Sequence, residues 1–241
     1  MGYKALIAGC SGPELSDDER AFFRDAKPCG LILFARNCHS REQITALVSD
    51  VRDAAGEDLL VLIDQEGGRV QRMGPPEWPA YPPARAFGAL YRADADEGIE
   101  ATRLVARLMA QDLHEVGINV DCLPVLDIPV AGAHDIIGDR AYGKEPEIVL
   151  VLGRAAAEGL LAGGVLPVVK HMPGHGRARS DSHKALPVID APLEEREPGG
   201  LGLYLVMKMA NEIYYEYRDR TRPGRRCGGY SRPPASQTIR R

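Results

Sequence analysis

The chain has 241 residues, of which 44% are hydrophobic and 27% charged, and its formal net charge at pH 7 is −4. This composition is typical of a globular protein with one sizeable core, and the acidic balance argues against a nucleic-acid binder. No apolar run reaches the roughly 18 residues of a membrane span, so we expect no membrane partner. The five cysteines are scattered and form no C-x-x-C pair, which favours a reducing, cytoplasmic location.

Short apolar strands alternate with amphipathic helices along most of the chain. In chain order the pattern first predicts a strand at 3–9, a helix at 17–26 capped by Ser16, a strand at 30–35, a helix at 40–56 and a strand at 59–64. A proline-rich loop follows, then a helix at 97–117 and a strand at 118–128. After a loop at 132–146 the pattern predicts a helix at 147–163 and a strand at 165–170. Strands that are apolar on both faces and alternate with helices indicate parallel βα units. The fold class is therefore predicted as α/β.

Polar residues cluster directly after the predicted strands. They are Asp64, Asp121, Asp127, Lys170 and His171. In a TIM-type (β/α) barrel the chemistry lies at the carboxyl ends of the strands, so we favour such a barrel over a doubly wound sheet. No G-x-G-x-x-G follows the first strand, which argues against a dinucleotide site.

The alternation stops near Glu195. A helix from about 203 to 217 fits the sequence beyond it, but from Arg218 onward eight arginines stand against one acid, among many prolines and glycines. A closed barrel needs eight βα units, and we count five or six. We predict a barrel over residues 1–195 that is incomplete at its C-terminal end, and an irregular tail over 196–241.

The first candidate site is 61-VLIDQEGGRVQRM-73. Gly67 and Gly68 allow a tight turn that brings Arg72 back across Asp64. One interpretation is a surface turn with ordinary ion pairs. The other is a site for a sugar, in which Asp64 accepts hydrogen bonds from two neighbouring hydroxyls and Arg72 donates another.

The second candidate, 136-IIGDRAYG-143, has Arg140 between two glycines. Arg140 either contacts a substrate oxygen or pairs with the adjacent Asp139. The residues alone favour the structural role.

The third candidate is 168-VVKHMPGHGRARSDSHKALPV-188, in which proline and glycine exclude a regular helix. One interpretation is a metal site built from four residues, namely His171, His175, Asp181 and His183. Because the two histidines of 171-HMPGH-175 cannot be neighbours on a helix, we rank it below the alternatives.

A second interpretation of this stretch is proton transfer. In 181-DSH-183, Asp181 would hold the imidazole of His183, fix its tautomer and raise its basicity. His183 would then act as general acid and base. The structural alternative is a loop histidine whose hydrogen bonds are merely satisfied.

In this order, four segments resemble the bacterial β-N-acetylhexosaminidase branch of glycoside hydrolase family 3. They are 63-IDQEGGRVQRM-73, 137-IGDRAYG-143, 170-KHMPGHG-176 and 181-DSHKALPVID-190, and the resemblance covers residues 3–195. It implies a β/α barrel that removes terminal β-linked N-acetylglucosamine without a metal or other cofactor. The substrate implied is a saccharide or muropeptide of cell-wall recycling in the cytoplasm.

The resemblance also implies a role for each matching residue. It implies that five residues hold the sugar: Asp64, Arg72, Arg140, Lys170 and His171. It makes His183 the acid/base on a mobile loop, with Asp181 as its partner. The family retains configuration through a glycosyl-enzyme intermediate and therefore needs a carboxylate nucleophile. In the family that aspartate lies on a later strand, and no matching motif follows His183, so the nucleophile stays unassigned.

Three functions thus remain open. The chain is an exo-acting glycosidase, or an inactive truncated or frameshifted fragment that at most binds the sugar, or a metal-dependent hydrolase. The sequence does not fix the oligomeric state.

Overall fold

The computed structural model describes residues 3–56, 59–172 and 174–185, together with two short strands at 212–213 and 230–231. The strands, in chain order, are β1 (Lys4–Ala8), β2 (Pro28–Leu33), β3 (Leu60–Ile63), β4 (Gln65–Gly67), β5 (Val70–Gln71), β6 (Val120–Asp121), β7 (Leu166–Pro167), β8 (Glu212–Ile213) and β9 (Tyr230–Ser231). The helices are α1 (Asp17–Ala26), α2 (Arg41–Ala55), α3 (Ala84–Ala93), α4 (Ala95–Glu115) and α5 (Pro146–Ala162).

The central element is a five-stranded sheet in the order β1-β2-β3-β6-β7. All of its neighbouring strands pair in parallel, so the predicted parallel βα units are confirmed. In the part of the chain that the structure describes, the sheet does not close into a barrel: β1 and β7 form its two edges. The architecture is therefore that of an open (β/α) barrel.

The core lies between the sheet and the helices. Leu31 of β2 and Ile63 of β3 are fully buried there against helical residues such as Ile44 and Leu113. The opposite face of the sheet carries apolar side chains that remain exposed, such as Ile7. A closed barrel fills this inner face with layers of side chains, so its exposure reflects the open form.

Local signals place the helix starts where the sequence predicts them. At α1, the Ser16 hydroxyl accepts a hydrogen bond from the Glu19 backbone and the Glu19 carboxylate accepts one from the Ser16 backbone. This reciprocal arrangement is a capping box, which satisfies two amides that the helix itself leaves free. Ser40 caps α2 in the simpler way, through the amide of Gln43.

Helix α3 lies in the segment that the sequence predicts as loop. Its Gly88 lowers helix propensity, but a Cβ at that position would lie 1.6 Å from the carbonyl oxygen of Tyr142. Close packing of α3 on the loop at 136–143 therefore requires glycine there. This requirement comes from tertiary structure and is not visible in the local pattern.

The predicted strand 118–128 is shorter in the structure. Regular pairing stops after Asp121, close to Pro124, which has no amide hydrogen to donate. Parallel pairing resumes at a single bridge between Val125 and Lys170. The segment after β6 thus stays parallel to the segment after β7 as far as Val125 and Lys170.

The tail differs from the prediction where the structure describes it. The predicted helix 203–217 lies outside the described residues except for β8, which is a strand and pairs antiparallel with β9. At Glu212–Ile213 the helix prediction is therefore wrong. Ile213 and Tyr230 are of the β-branched and aromatic types that favour strands. The predicted boundary at residue 195 lies outside the described residues.

No helix among the described residues is long and apolar enough to cross a membrane.

Candidate active site

The polar residues of the candidate site lie at the carboxyl edge of the sheet. Asp64 directly follows β3, Asp121 ends β6, and Lys170 follows β7. Parallel strands bring these chain positions together although more than a hundred residues separate the first from the last. This is the edge at which α/β barrels carry their chemistry.

The hairpin of β4 and β5 returns Arg72 to Asp64, as the sequence predicts. Gly67 (φ +83°) and Gly68 (φ +57°) have left-handed backbone angles that favour glycine. The buried Gln65 side chain accepts hydrogen bonds from the backbone amides of Arg72 (3.0 Å) and of the residue that follows it (3.1 Å). Arg72 then lies 3.2 Å from Asp64 Oδ2, measured from its terminal nitrogen Nη2.

Asp64 also pairs with Lys170, whose Nζ lies 2.7 Å from Oδ1. Burial raises the pKa of Asp64, but the charges and hydrogen bonds of Lys170 and then of Arg72 outweigh it, so the pKa lies below its usual value. Asp64 is therefore an anion between two cations at neutral pH. It presents acceptors, and its partners present donors.

Glu66 is a site residue that the sequence analysis missed. Its carboxylate is 3% exposed and accepts two parallel hydrogen bonds of 2.8 Å from Arg140, and Lys170 Nζ lies 2.5 Å from it. Glu66 and Asp64 are two residues apart in an extended segment, a spacing that puts both side chains on one face. That spacing is the signal that would have indicated Glu66.

The pairing of Arg140 corrects one of the two predicted alternatives. Arg140 does not pair with Asp139; it pairs with Glu66, and Asp139 pairs with Arg69 at 2.8 Å. Arg69 also donates hydrogen bonds to the carbonyls of residues 135, 136 and 137. Two ion pairs, one buried and one exposed, therefore join the loop at 135–140 to the β4–β5 hairpin.

His171 lies against Asp127, which the sequence analysis places at a strand end but gives no role. Its Nδ1 is 2.5 Å from Asp127 Oδ2, and its Nε2 is 3.4 Å from a guanidinium nitrogen of Arg140. The Lys170–His171 peptide bond is cis. Five of the predicted residues thus form one cluster, the sugar cluster: Asp64, Arg72, Arg140, Lys170 and His171.

Asp121 lies beneath this cluster and is fully buried. Burial raises its pKa well above the usual value, against the hydrogen bond that its Oδ1 accepts from the Gln65 amide at 3.0 Å. Within the described ranges its second oxygen, Oδ2, has no hydrogen-bond partner. Asp121 therefore supports the hairpin from beneath through its hydrogen bond with the Gln65 amide.

The predicted pair of Asp181 and His183 forms on a separate loop. His183 Nδ1 lies 3.0 Å from Asp181 Oδ1, and the His183 backbone amide donates to the same oxygen at 2.9 Å. These hydrogen bonds, the backbone one first, lower the pKa of Asp181. The His183 side chain is 86% exposed, and across residues 3–56, 59–172 and 174–185 no hydrogen bond or ion pair joins this pair to the sugar cluster.

Two of the three histidines of the metal interpretation have carboxylate partners, whereas both ring nitrogens of His175 are buried without a hydrogen-bond partner among the described residues. His171 binds Asp127, and His183 binds Asp181. Among the residues that the structure describes, no group of three or more His, Cys, Asp or Glu side chains could hold a metal ion. The alternative of a metal-dependent hydrolase therefore has no supporting geometry in this part of the chain.

Comparison with known proteins agrees with this arrangement. Residues 6–202 match the glycosyl hydrolase family 3 N terminal domain. A beta-hexosaminidase of Methylococcus capsulatus is 42% identical over 184 residues, which are 76% of this chain and 53% of that protein. A beta-hexosaminidase of Bordetella avium is 37% identical over 183 residues, which are 76% of this chain and 52% of that protein.

Solved structures give the same result. NagZ from Neisseria gonorrhoeae, in complex with N-trifluoroacetyl-D-glucosamine, superposes with a TM-score of 0.75 at 32% identity over 80% of this chain and 57% of that chain. A family 3 beta-N-acetylglucosaminidase from Paenibacillus sp. has a TM-score of 0.75 at 33% identity over 85% of this chain and 38% of that chain.

The chain spans about half the length of the curated relatives it matches. The family match itself covers most of the chain and includes every residue of the sugar cluster. The chain therefore belongs to glycosyl hydrolase family 3, through the N-terminal domain of that family.

Proposed function

We propose that the chain carries the sugar-binding half and the acid/base pair of an exo-acting β-N-acetylhexosaminidase with a retaining mechanism. The observation that carries the proposal is the sugar cluster, in which one anion, three cations and one imidazole converge at the carboxyl edge of the sheet. Alternating donors and acceptors of this kind suit the neighbouring hydroxyls of a sugar ring. The identity of the sugar, N-acetylglucosamine, rests on what the relatives are named for.

In this proposal His183 moves the proton. Asp181 is ionised at neutral pH, so Nδ1 of His183 carries the hydrogen of their shared bond, and Nε2 is left to exchange a proton with the glycosidic oxygen. Protonated His183 gives its proton to the leaving group, and neutral His183 later takes one from the attacking water. Because the side chain is exposed, its loop has to close over the sugar for this step.

The first chemical step also needs a carboxylate that attacks the anomeric carbon. Three of the carboxylates at the sheet edge, Asp64, Glu66 and Asp127, are each held by cations or by N–H donors. The fourth, Asp121, is fully buried beneath them and is not accessible to a substrate. The described part of the chain therefore supplies no nucleophile. This favours a second candidate function, binding of the sugar without turnover.

We propose that any turnover would serve cell-wall muropeptide recycling in the cytoplasm, because the implied substrate is N-acetylglucosamine in β-linkage.

A chromogenic β-N-acetylglucosaminide separates the two candidates. Turnover that His183→Ala abolishes, and that a metal chelator leaves unchanged, supports the glycosidase. No turnover, together with saturable binding of N-acetylglucosamine by the folded chain, supports the binding fragment. A folded chain with neither property refutes both.

A further inference from the structure

Asp127 contacts three nitrogen atoms, namely two backbone amides and the Nδ1 atom of the His171 imidazole. The Asp127 side chain is fully buried. Its Oδ2 lies 2.5 Å from His171 Nδ1 and 3.3 Å from the His171 backbone nitrogen, and its Oδ1 accepts from the His175 backbone amide. The two backbone amides are donors to Asp127, and the role of the imidazole nitrogen depends on where the hydrogens lie.

The protonation state of Asp127 decides which imidazole nitrogen carries hydrogen. Burial raises the pKa of Asp127, but hydrogen bonds from the His171 ring and then from the His175 backbone outweigh it, and the pKa lies below its usual value. The carboxyl group is ionised at neutral pH and has no hydrogen to donate. The bond between Asp127 and His171 consequently needs a hydrogen on Nδ1.

The other edge of the imidazole favours the same tautomer. His171 Nε2 lies 3.4 Å from a guanidinium nitrogen of Arg140, and arginine can only donate. A hydrogen on Nε2 would set two donors against each other beside a fixed cation. Both contacts therefore fit a ring with hydrogen on Nδ1 and a lone pair on Nε2. With 37% of the side chain exposed, the ring is accessible from the sugar cluster.

We propose that Asp127 is a positioning residue, which holds His171 in the Nδ1–H tautomer so that Nε2 accepts a hydrogen bond from a sugar hydroxyl. The sugar as ligand rests on the proposed function, whereas the tautomer does not. An acceptor at Nε2 selects a hydroxyl over an ether oxygen at that place on the substrate, because an ether has no hydrogen to donate. His171 then adds a neutral acceptor to the anionic acceptor Asp64.

The tautomer is measured directly by nuclear magnetic resonance on the chain labelled with ¹⁵N-histidine. Couplings between the ring nitrogens and ring protons distinguish the two tautomers, and loss of one signal set in His171→Gln assigns the residue among six histidines. At pH 8 we expect hydrogen on Nδ1. In Asp127→Asn the new amide presents a donor, so the pattern shifts toward Nε2–H, and N-acetylglucosamine binds about tenfold more weakly.

Asp112→Asn is the matched control. Asp112 is a carboxylate on α4 whose side chain is 14% exposed, and it accepts a hydrogen bond of 2.6 Å from the Tyr81 hydroxyl. Its replacement leaves the His171 pattern unchanged if the effect comes from the contact with Asp127. A merely structural role for Asp127 would lower stability in Asp127→Asn without changing the His171 tautomer.

Hydrogen on Nε2 of His171 in the unmodified chain overturns the proposal, as does a doubly protonated ring at pH 8. An unchanged pattern in folded Asp127→Asn also overturns it. If this variant does not fold, the spectrum of the unmodified chain decides alone. An Nδ1–H ring in a folded chain that binds no N-acetylglucosamine supports the tautomer assignment and refutes the proposed function.

Discussion

Replacing Glu66 by Gln removes a negative charge from between Arg140 and Lys170 while keeping the shape of the side chain. In the unmodified chain the Glu66 side chain is 3% exposed. Its cationic partners are nearly as buried, since the side chain of Arg140 is 11% exposed and that of Lys170 is 12% exposed. The variant places an amide NH₂ group against one of these donors; Lys170 keeps its ion pair with Asp64, whereas Arg140 loses its ion pair.

The magnitude follows from burial. Breaking a buried ion pair by removing one partner costs about 3–5 kcal/mol, since the charge left behind stays desolvated. Glutamine retains one acceptor oxygen, so we expect a loss near the lower end, about 3 kcal/mol in the free energy of unfolding. In urea this lowers the unfolding midpoint by about 1 M or more.

Asp139→Asn is the internal control, because it breaks the other ion pair between the same two loops. Arg69 and Asp139 are 42% and 36% exposed, and an exposed pair contributes below about 1 kcal/mol. Urea unfolding of both variants, followed by circular dichroism, gives the comparison. Equal losses in the two variants, or no loss in Glu66→Gln, would refute the argument from burial.

Three further outcomes are expected. The pKa of Asp64 is lower in the folded chain than in the unfolded chain. Its ion pairs therefore stabilise the fold at pH values above the unfolded pKa, and this stabilisation is lost as pH falls through the folded pKa. The urea midpoint should therefore fall less steeply between pH 7 and 3 in Asp64→Asn than in the unmodified chain. Gly176→Ala puts a Cβ 2.1 Å from the Ile128 carbonyl oxygen and should lower the free energy of unfolding by about 1–3 kcal/mol. In the control Gly12→Ala the added Cβ meets nothing within 4 Å, so the temperature of thermal unfolding should barely change. His183→Ala should change stability by less than about 0.5 kcal/mol, because the side chain is exposed; a larger thermal shift would show that the loop histidine has a structural role.

Much of the fold could be predicted because its signals are local. Ser16 and the acids after it indicate the start of α1, and apolar periodicity indicates α2, α4 and α5. Helix α3 could not be predicted in this way, since the role of Gly88 depends on its contact with the backbone of Tyr142. Propensity alone describes that glycine as unfavourable in a helix.

The same distinction between local signals and tertiary contacts applies to the candidate site. Residues that directly follow strands, such as Asp64 and Lys170, could be predicted as neighbours from the topology of parallel strands. Glu66 could not, because its partner Arg140 lies on a loop whose packing against the hairpin is set only by tertiary structure. Asp127 is placed at a strand end in the same way as Asp64, but the sequence does not predict its contact with His171. A charge within a motif indicates a possible ion pair but does not identify its partner among several charges. The predicted pairing of Arg140 with Asp139 is therefore wrong, because Arg140 pairs with Glu66.

The central claim is that the sugar cluster binds N-acetylglucosamine, and calorimetric titration of the folded chain with this sugar tests it most directly. We predict saturable binding at one site per chain. Binding should be at least about tenfold weaker in Asp64→Asn, because this variant loses the anion between Lys170 and Arg72. Absence of saturable binding by the folded chain, or equal affinity in the unmodified chain and a folded Asp64→Asn variant, would contradict it.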